Sequence, residues 1–274
     1  MQSSSLVERI DKLPKIPKIV QELIDLVNSD SADLNQIADK ISYDQVISAR
    51  VLRLSNSAYF GRARNIGSVN EAVIRLGLGP VRTLVVSSAL MSAFDVDSDL
   101  DIDAFWQHTF EVATISKALA GSLKMDPNEA FTAGMLHNLG ELLIMTTAYE
   151  QLDRINLHIE AGKPKQEAQE LILGVTSAEL GGELARRWNF PDRLCDAIRY
   201  QFTPVHQEQF SPLAGILRLA GKVDESWQEF VTTDSKLEWL NQQLEYNMLG
   251  FPKTVVAAVD DVIGKGREMA KMLK

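Results

Sequence analysis

AGMLHNLGELLI, residues 133–144, is an apolar run that carries a His-Asn pair at His137 and Asn138. Met135, Leu136, Leu139, Leu142 and Leu143 recur at helical spacing, which predicts one buried helix, with Gly134 and Gly140 allowing neighbours to approach closely. Such a helix needs neither an imidazole nor an amide for its own stability. The pair is therefore the feature to be explained, and an amide is a far poorer metal ligand than a carboxylate.

Outward from this stretch, helical periodicity dominates. Ile16, Ile19, Val20, Leu23, Ile24 and Val27 form an amphipathic stripe with Pro17 in its first turn. Asp33 is expected to cap a short helix reaching Ile41, and Ser42 to cap the next, which carries Val46, Ile47, Val51, Leu52 and Leu54. Ser68 and Glu71 have the spacing of a capping box for a helix to Leu76; Gly77 and Gly79 break it, and Pro80 opens another that ends near Phe94. The segment 95–103, DVDSDLDID, reads as a linker; it lacks the Gly and Glu that a calcium loop wants at its sixth and twelfth positions. Beyond it, Gly- and Pro-marked breaks divide a second set of helices, and Leu237, Leu240, Leu244 and Met248 predict a further apolar stripe. No segment alternates as a strand would. The expected fold is all-α: a two-lobed helical bundle with an N-terminal lobe over 1–100 and a second lobe over 101–274.

Composition narrows the function classes. The chain has 274 residues, 45 % apolar and 24 % charged, as a globular protein does, and a net charge of −9 that opposes nucleic acid and anionic membrane surfaces. Its one cysteine, Cys195, excludes an internal disulfide and any CxxC motif, and its apolar-periodic surroundings predict a packed thiol. The polar start MQSSSLVERIDKLP has no signal-peptide core, and no run of about eighteen apolar residues suggests a membrane span. A cytoplasmic protein is expected. There is no Gly-x-Ser-x-Gly elbow or HExxH pair, and the Gly77–Arg82 turn follows a helix, unlike a phosphate loop.

Five blocks resemble, in order and spacing, the HDOD family of bacterial signalling proteins, degenerate relatives of HD-domain metal-dependent phosphohydrolases. They are LPKIPKIVQELIDLVN (13–28), ISYDQVISARVLRLSNSAYFG (41–61), EAVIRLGLGPVRTLVVSSAL (71–90), FWQHTFEVATISKALA (105–120) and RRWNFPDRLCDAIRY (186–200), besides the His-Asn helix. The resemblance implies an HD-like second lobe whose metal positions fall on His108, His137, Asn138, Ser177 and Gly221. In an active HD domain Asn138 and Gly221 would be aspartates, and a histidine often stands at Ser177. A catalytic centre needs about three protein ligands and an open position. The expectation is therefore a non-catalytic adaptor, without metal or cofactor, that binds signalling partners supplied in trans. The alternative is a residual metal-dependent phosphohydrolase, or a binder of a nucleotide or cyclic dinucleotide.

One charge feature runs against the acidic whole. Arg50, Arg53, Arg62, Arg64, Arg75 and Arg82 are opposed only by Glu71 between residues 50 and 82. They either pair with the protein's own carboxylates or form a docking surface for an acidic partner or a phosphate-bearing small molecule. Asn56, Ser57 and Tyr59, at the end of the R-L-x-N-S-x-Y-F-G signature, are expected to cap and turn the chain. Asn56 and Tyr59 join Arg50, Arg53, Arg62, Arg64 and Arg82 as candidates for partner or ligand binding.

Overall fold

The computed structural model describes residues 22–23, 25–26, 33–56, 66–93, 101–206 and 209–272. It is all-helical apart from one small hairpin. The first helices are α1 (Leu34–Ser42), α2 (Gln45–Ser55), α3 (Val69–Leu76) and α4 (Leu78–Ala93). Then come α5 (Ile102–Ser122), α6 (Pro127–Leu136), α7 (Leu139–Thr147), α8 (Tyr149–Glu160), α9 (Lys165–Leu173), α10 (Ser177–Arg187) and α11 (Asp192–Arg199). Strands β1 (Val205–His206) and β2 (Gln209–Phe210) pair antiparallel, Val205 opposite Phe210. The chain closes with α12 (Pro212–Ser226), a 3-10 turn, α13 (Thr233–Asn241), α14 (Leu244–Leu249), α15 (Val255–Asp260) and α16 (Lys265–Met272).

Helix α5 is the axle. It packs against α6, α12, α15 and α16, and is buried on nearly every side from Trp106 to Ala120. One continuous apolar core runs from Leu23 to Ala270 and draws on helices before and after residue 100. A smaller cluster, with Leu143, Ile144, Ile155, Ala168, Leu173 and Leu180, seats the α8–α9 hairpin. Glycines set the closest approaches: Gly134 lies against Ala113, and Gly140 against the backbone of Ser177, with no room for a Cβ at either.

Local chemistry explains the boundaries. Asp33 Oδ1 accepts the Asn35 N–H and starts α1 as expected. The next cap is Asp44, not Ser42: its carboxylate takes the Val46 and Ile47 N–H groups, while Ser42 ends α1 with its hydroxyl on the Ala38 carbonyl. Ser68 caps α3 through the Glu71 N–H, but Glu71 reaches back to the Gly67 N–H, one residue beyond a true box. Gly77, at φ 73°, ends α3, whereas Gly79 and Pro80 lie inside the first turn of α4. Asp101 and Asp103 belong to the start of α5, where Asp101 caps Ala104, so the acidic segment is not linker throughout. The stripe expected over 237–248 also breaks. Leu240 is buried, but Leu244 and Met248 are exposed, and α14 turns Glu245 and Tyr246 inward instead.

Candidate functional site

The His-Asn pair lies between helices, not within one. Helix α6 stops at Leu136, His137 and Asn138 form the turn, and α7 begins at Leu139. Gly134 packs on α5 and Gly140 on α10, so the chain must redirect between them. The turn presents His137 and Asn138 to a pocket of about 330 Å³, which is also lined by His108 from α5 and Gly221 from α12. Ser177 is not part of its lining. It starts α10, its N–H held by Gln169 Oε1 and its carbonyl against Gly140.

Both imidazoles are oriented through Nδ1. His137 is buried, with Nδ1 2.5 Å from the Gly134 carbonyl oxygen, to which it donates. Burial, with the charge of His108 adding to it, pushes its pKa down to about 3, so it is neutral at ordinary pH. His108 is more exposed and brings Nδ1 to 2.6 Å from Asp224 Oδ2. Burial opposes ionisation of Asp224, yet the hydrogen bonds and charges of His108 and Arg267 outweigh it and hold the carboxyl below its usual range. The two rings meet edge to face, 5.5 Å between centroids. Asn138 directs its amide at Thr109 Oγ1, 3.5 Å away, and Gln201 Nε2 donates to the carbonyls of His137 and Ile198.

Asp224 is the residue that sequence reasoning missed. It stands three residues after Gly221 on α12, so it returns on the same side of the helix with a carboxylate one turn deeper. Around the mouth, Lys165 pairs with Glu141, and Arg218 and Lys222 share the fully buried Glu245. These side chains, apart from the buried Glu245, line the pocket with Glu225, Phe202 and Leu217. None carries a motif of its own. The only sequence signal for Asp224 was its place, with Glu225, just after the apolar face Ile216, Leu217, Leu219, Ala220 and Val223.

A divalent metal of the HD type would need carboxylates beside the two imidazoles. Among the described residues no group of three or more His, Cys, Asp or Glu side chains gathers as such an ion requires. His108, His137, Asn138 and Gly221 line one pocket, and Asp224 beside His108 is engaged by His108 and Arg267.

The side chains of Arg50, Arg53 and Arg75 are among the described residues. Arg50 donates to the Ser88 carbonyl at 2.9 Å, and Arg53 to the Met272 carbonyl at 2.8 Å. Burial lowers the pKa of the Arg50 guanidinium, with Asp44 opposing. Arg75 pairs with Glu71. Asn56 ties Ile66 N–H and carbonyl to the end of α2, and also donates to Leu52. Tyr59, Arg62, Arg64 and the Arg82 side chain lie outside the described residues. Cys195 is buried with Sγ against the Phe190 carbonyl, and burial raises its thiol to about 11, which suits packing and not nucleophilic chemistry.

Helices packed around a buried His-Asn turn define an HD-like helical domain. The HDOD domain model matches residues 13–204, and the chain belongs to the HDOD family. A Shewanella amazonensis SB2B protein, provisionally described as a phosphohydrolase, has a crystal structure 36 % identical in sequence that aligns with a TM-score of 0.89 over 99 % of both chains. An HDOD domain protein of unknown function from Geobacter sulfurreducens, 25 % identical, aligns at 0.83 over 99 % of this chain and 97 % of its own. An uncharacterized protein of Treponema pallidum (strain Nichols) is 28 % identical over 223 residues, 80 % of this chain but 43 % of the relative. The chain thus spans less than half of that relative. No described helix is long and apolar enough to cross a membrane.

Proposed function

We propose that this chain is a regulatory HDOD protein that acts by binding a partner protein and carries out no hydrolysis at its HD-like pocket. The observation that carries the reading is the donor set at the His-Asn turn. Asn138 offers an uncharged amide directed at Thr109, Gly221 offers no side chain, and Asp224 is held by His108 and Arg267. Lewis-acid hydrolysis needs a firmly held ion with an open position, and two imidazoles alone hold one weakly. Partner binding is then assigned to Arg62 and Arg64, since Arg50 and Arg53 reach backbone carbonyls of their own chain.

Elemental analysis of protein purified without chelator tests the first half of this reading. Stoichiometric manganese, iron or zinc that disappears in a His137→Ala variant would overturn it. The second half is tested by affinity capture with Arg62→Glu/Arg64→Glu as the comparison; a partner held equally by both forms argues against the arginines. A second reading, a binder of a phosphate-bearing small molecule, is favoured by Lys165, Arg218 and Lys222 at the pocket mouth. It requires a nucleotide to raise the melting temperature, and the shift to vanish in Lys222→Ala.

A further inference from the structure

Helix α16 carries polar contacts to the pocket at its first turn and to the N-terminal helices at its last residue. His108 Nδ1 lies 2.6 Å from Asp224 Oδ2, and Asp224 Oδ1 2.6 Å from the Arg267 guanidinium. Arg267, in the first turns of α16, also reaches Glu111 Oε1 at 3.5 Å. Glu111, fully buried on α5, accepts the Gly264 and Arg267 N–H groups at 2.5 and 3.0 Å, and so caps the start of α16 across more than 150 residues of sequence. At the other end of that helix the Met272 carbonyl accepts from Arg53 of α2. Asn56, at the end of α2, fastens both sides of the segment 57–65.

From this geometry we propose that α16 is a latch coupling the state of His108 in the pocket to α2 in the N-terminal lobe. The physical reason is competition for one cation. Asp224 and Glu111 are two buried carboxylates, and Arg267 serves both. While His108 holds Asp224, Arg267 remains shared with Glu111 and the first turn of α16 stays capped. When an occupant of the pocket draws His108 away, Asp224 takes a larger share of Arg267, and Glu111 loses part of its compensation in a medium that screens poorly. Gly266 sits directly on the α5 backbone at Phe110 and Glu111, with no slack for independent adjustment. Helix α16 therefore moves as a rigid unit, and its far end bears on Arg53. The proposal is independent of whether the pocket binds or catalyses.

Amide hydrogen exchange of the full chain tests it. His108→Ala should speed exchange at least fivefold in 265–272 and measurably in 45–56, whereas Phe202→Ala, which lines the same pocket outside the series, should change neither. In an Arg53→Ala background, His108→Ala should still loosen 265–272 but add nothing in 45–56. Parental exchange in α16 of His108→Ala, or an equal effect on α2 in both backgrounds, overturns the latch. A second measurement covers failure of His108→Ala to fold. Coupling is reciprocal, so Arg53→Ala, an exposed change, should shift the ring resonances of His108 and leave those of His158 and His206 in place. An unmoved His108 signal would also overturn it.

Discussion

Gly140 and Ser177 meet backbone to backbone: the Ser177 carbonyl occupies the space that a Cβ on residue 140 would fill. This contact joins the first turns of α7 and α10 and fixes the His-Asn turn from behind. Because backbone, not a flexible side-chain end, blocks the position, Gly140→Ala should cost about 1–3 kcal/mol or more and lower the melting temperature by roughly 5–10 °C. Differential scanning calorimetry checks this, and an unchanged Tm would show that α7 can slide.

Gly221 offers the opposite case. A Cβ there meets nothing within 4 Å, so Gly221→Ala should stabilise the protein by about 0.5–1 kcal/mol through helix propensity alone. With that space, the double variant Asn138→Asp/Gly221→Asp returns two carboxylates to a pocket that already has two imidazoles. Manganese should then raise its melting temperature, by the equivalent of about 2.7 kcal/mol at a hundredfold excess over Kd, and leave the parent protein unmoved.

His137 makes stability depend on pH. Its pKa is about 3 when folded against 6.5 for a free imidazole, because burial and His108 disfavour the charged form. The unfolded chain binds a proton that the folded one refuses, so this contribution is intact above pH 6.5 and is lost progressively as pH falls toward 3. The loss should be about 2 kcal/mol by pH 5. In His137→Asn, which keeps a donor for the Gly134 carbonyl, the denaturation midpoint should vary less between pH 7 and 5. Asp224 adds a further decline at lower pH, since the stability from its depressed carboxyl is lost as pH falls through its folded-state value.

Asn56 closes the segment 57–65 with three hydrogen bonds to Leu52 and Ile66 backbone groups. Asn56→Ala should destabilise by about 1–2 kcal/mol in urea unfolding. Asn56→Asp should not rescue, because a carboxylate cannot donate to the two carbonyls that the amide now serves.

Much of the fold was legible because burial repeats at helical spacing: Ile47, Val51 and Leu54 are in the core as their periodicity predicts, although Val46 at the start of the same helix is exposed. The site was legible in part. His108, His137, Asn138 and Gly221 do line one pocket, but the helix expected over 133–144 is two, because Gly134 and Gly140 serve different neighbours. Asp224 escaped because the family's metal position falls on Gly221, one turn earlier on α12. The carbonyls that Arg50 and Arg53 reach lie 38 and 219 residues away, a distance over which periodicity carries no information. The hairpin at 205–210 has strands too short to alternate.

The capping of α16 by Glu111 separates the unit of descent from the unit of folding. The family match ends at residue 204, yet the carboxylate at the heart of α5 finds its N–H donors and its arginine at 264 and 267. A chain cut at the family boundary would keep every recognised motif. It would also strand a buried anion and strip α5 of α12, α15 and α16, three of the helices that cover it. Such a fragment should aggregate more readily than the 274-residue chain. What similarity delimits as a domain is, in this protein, an unfinished core.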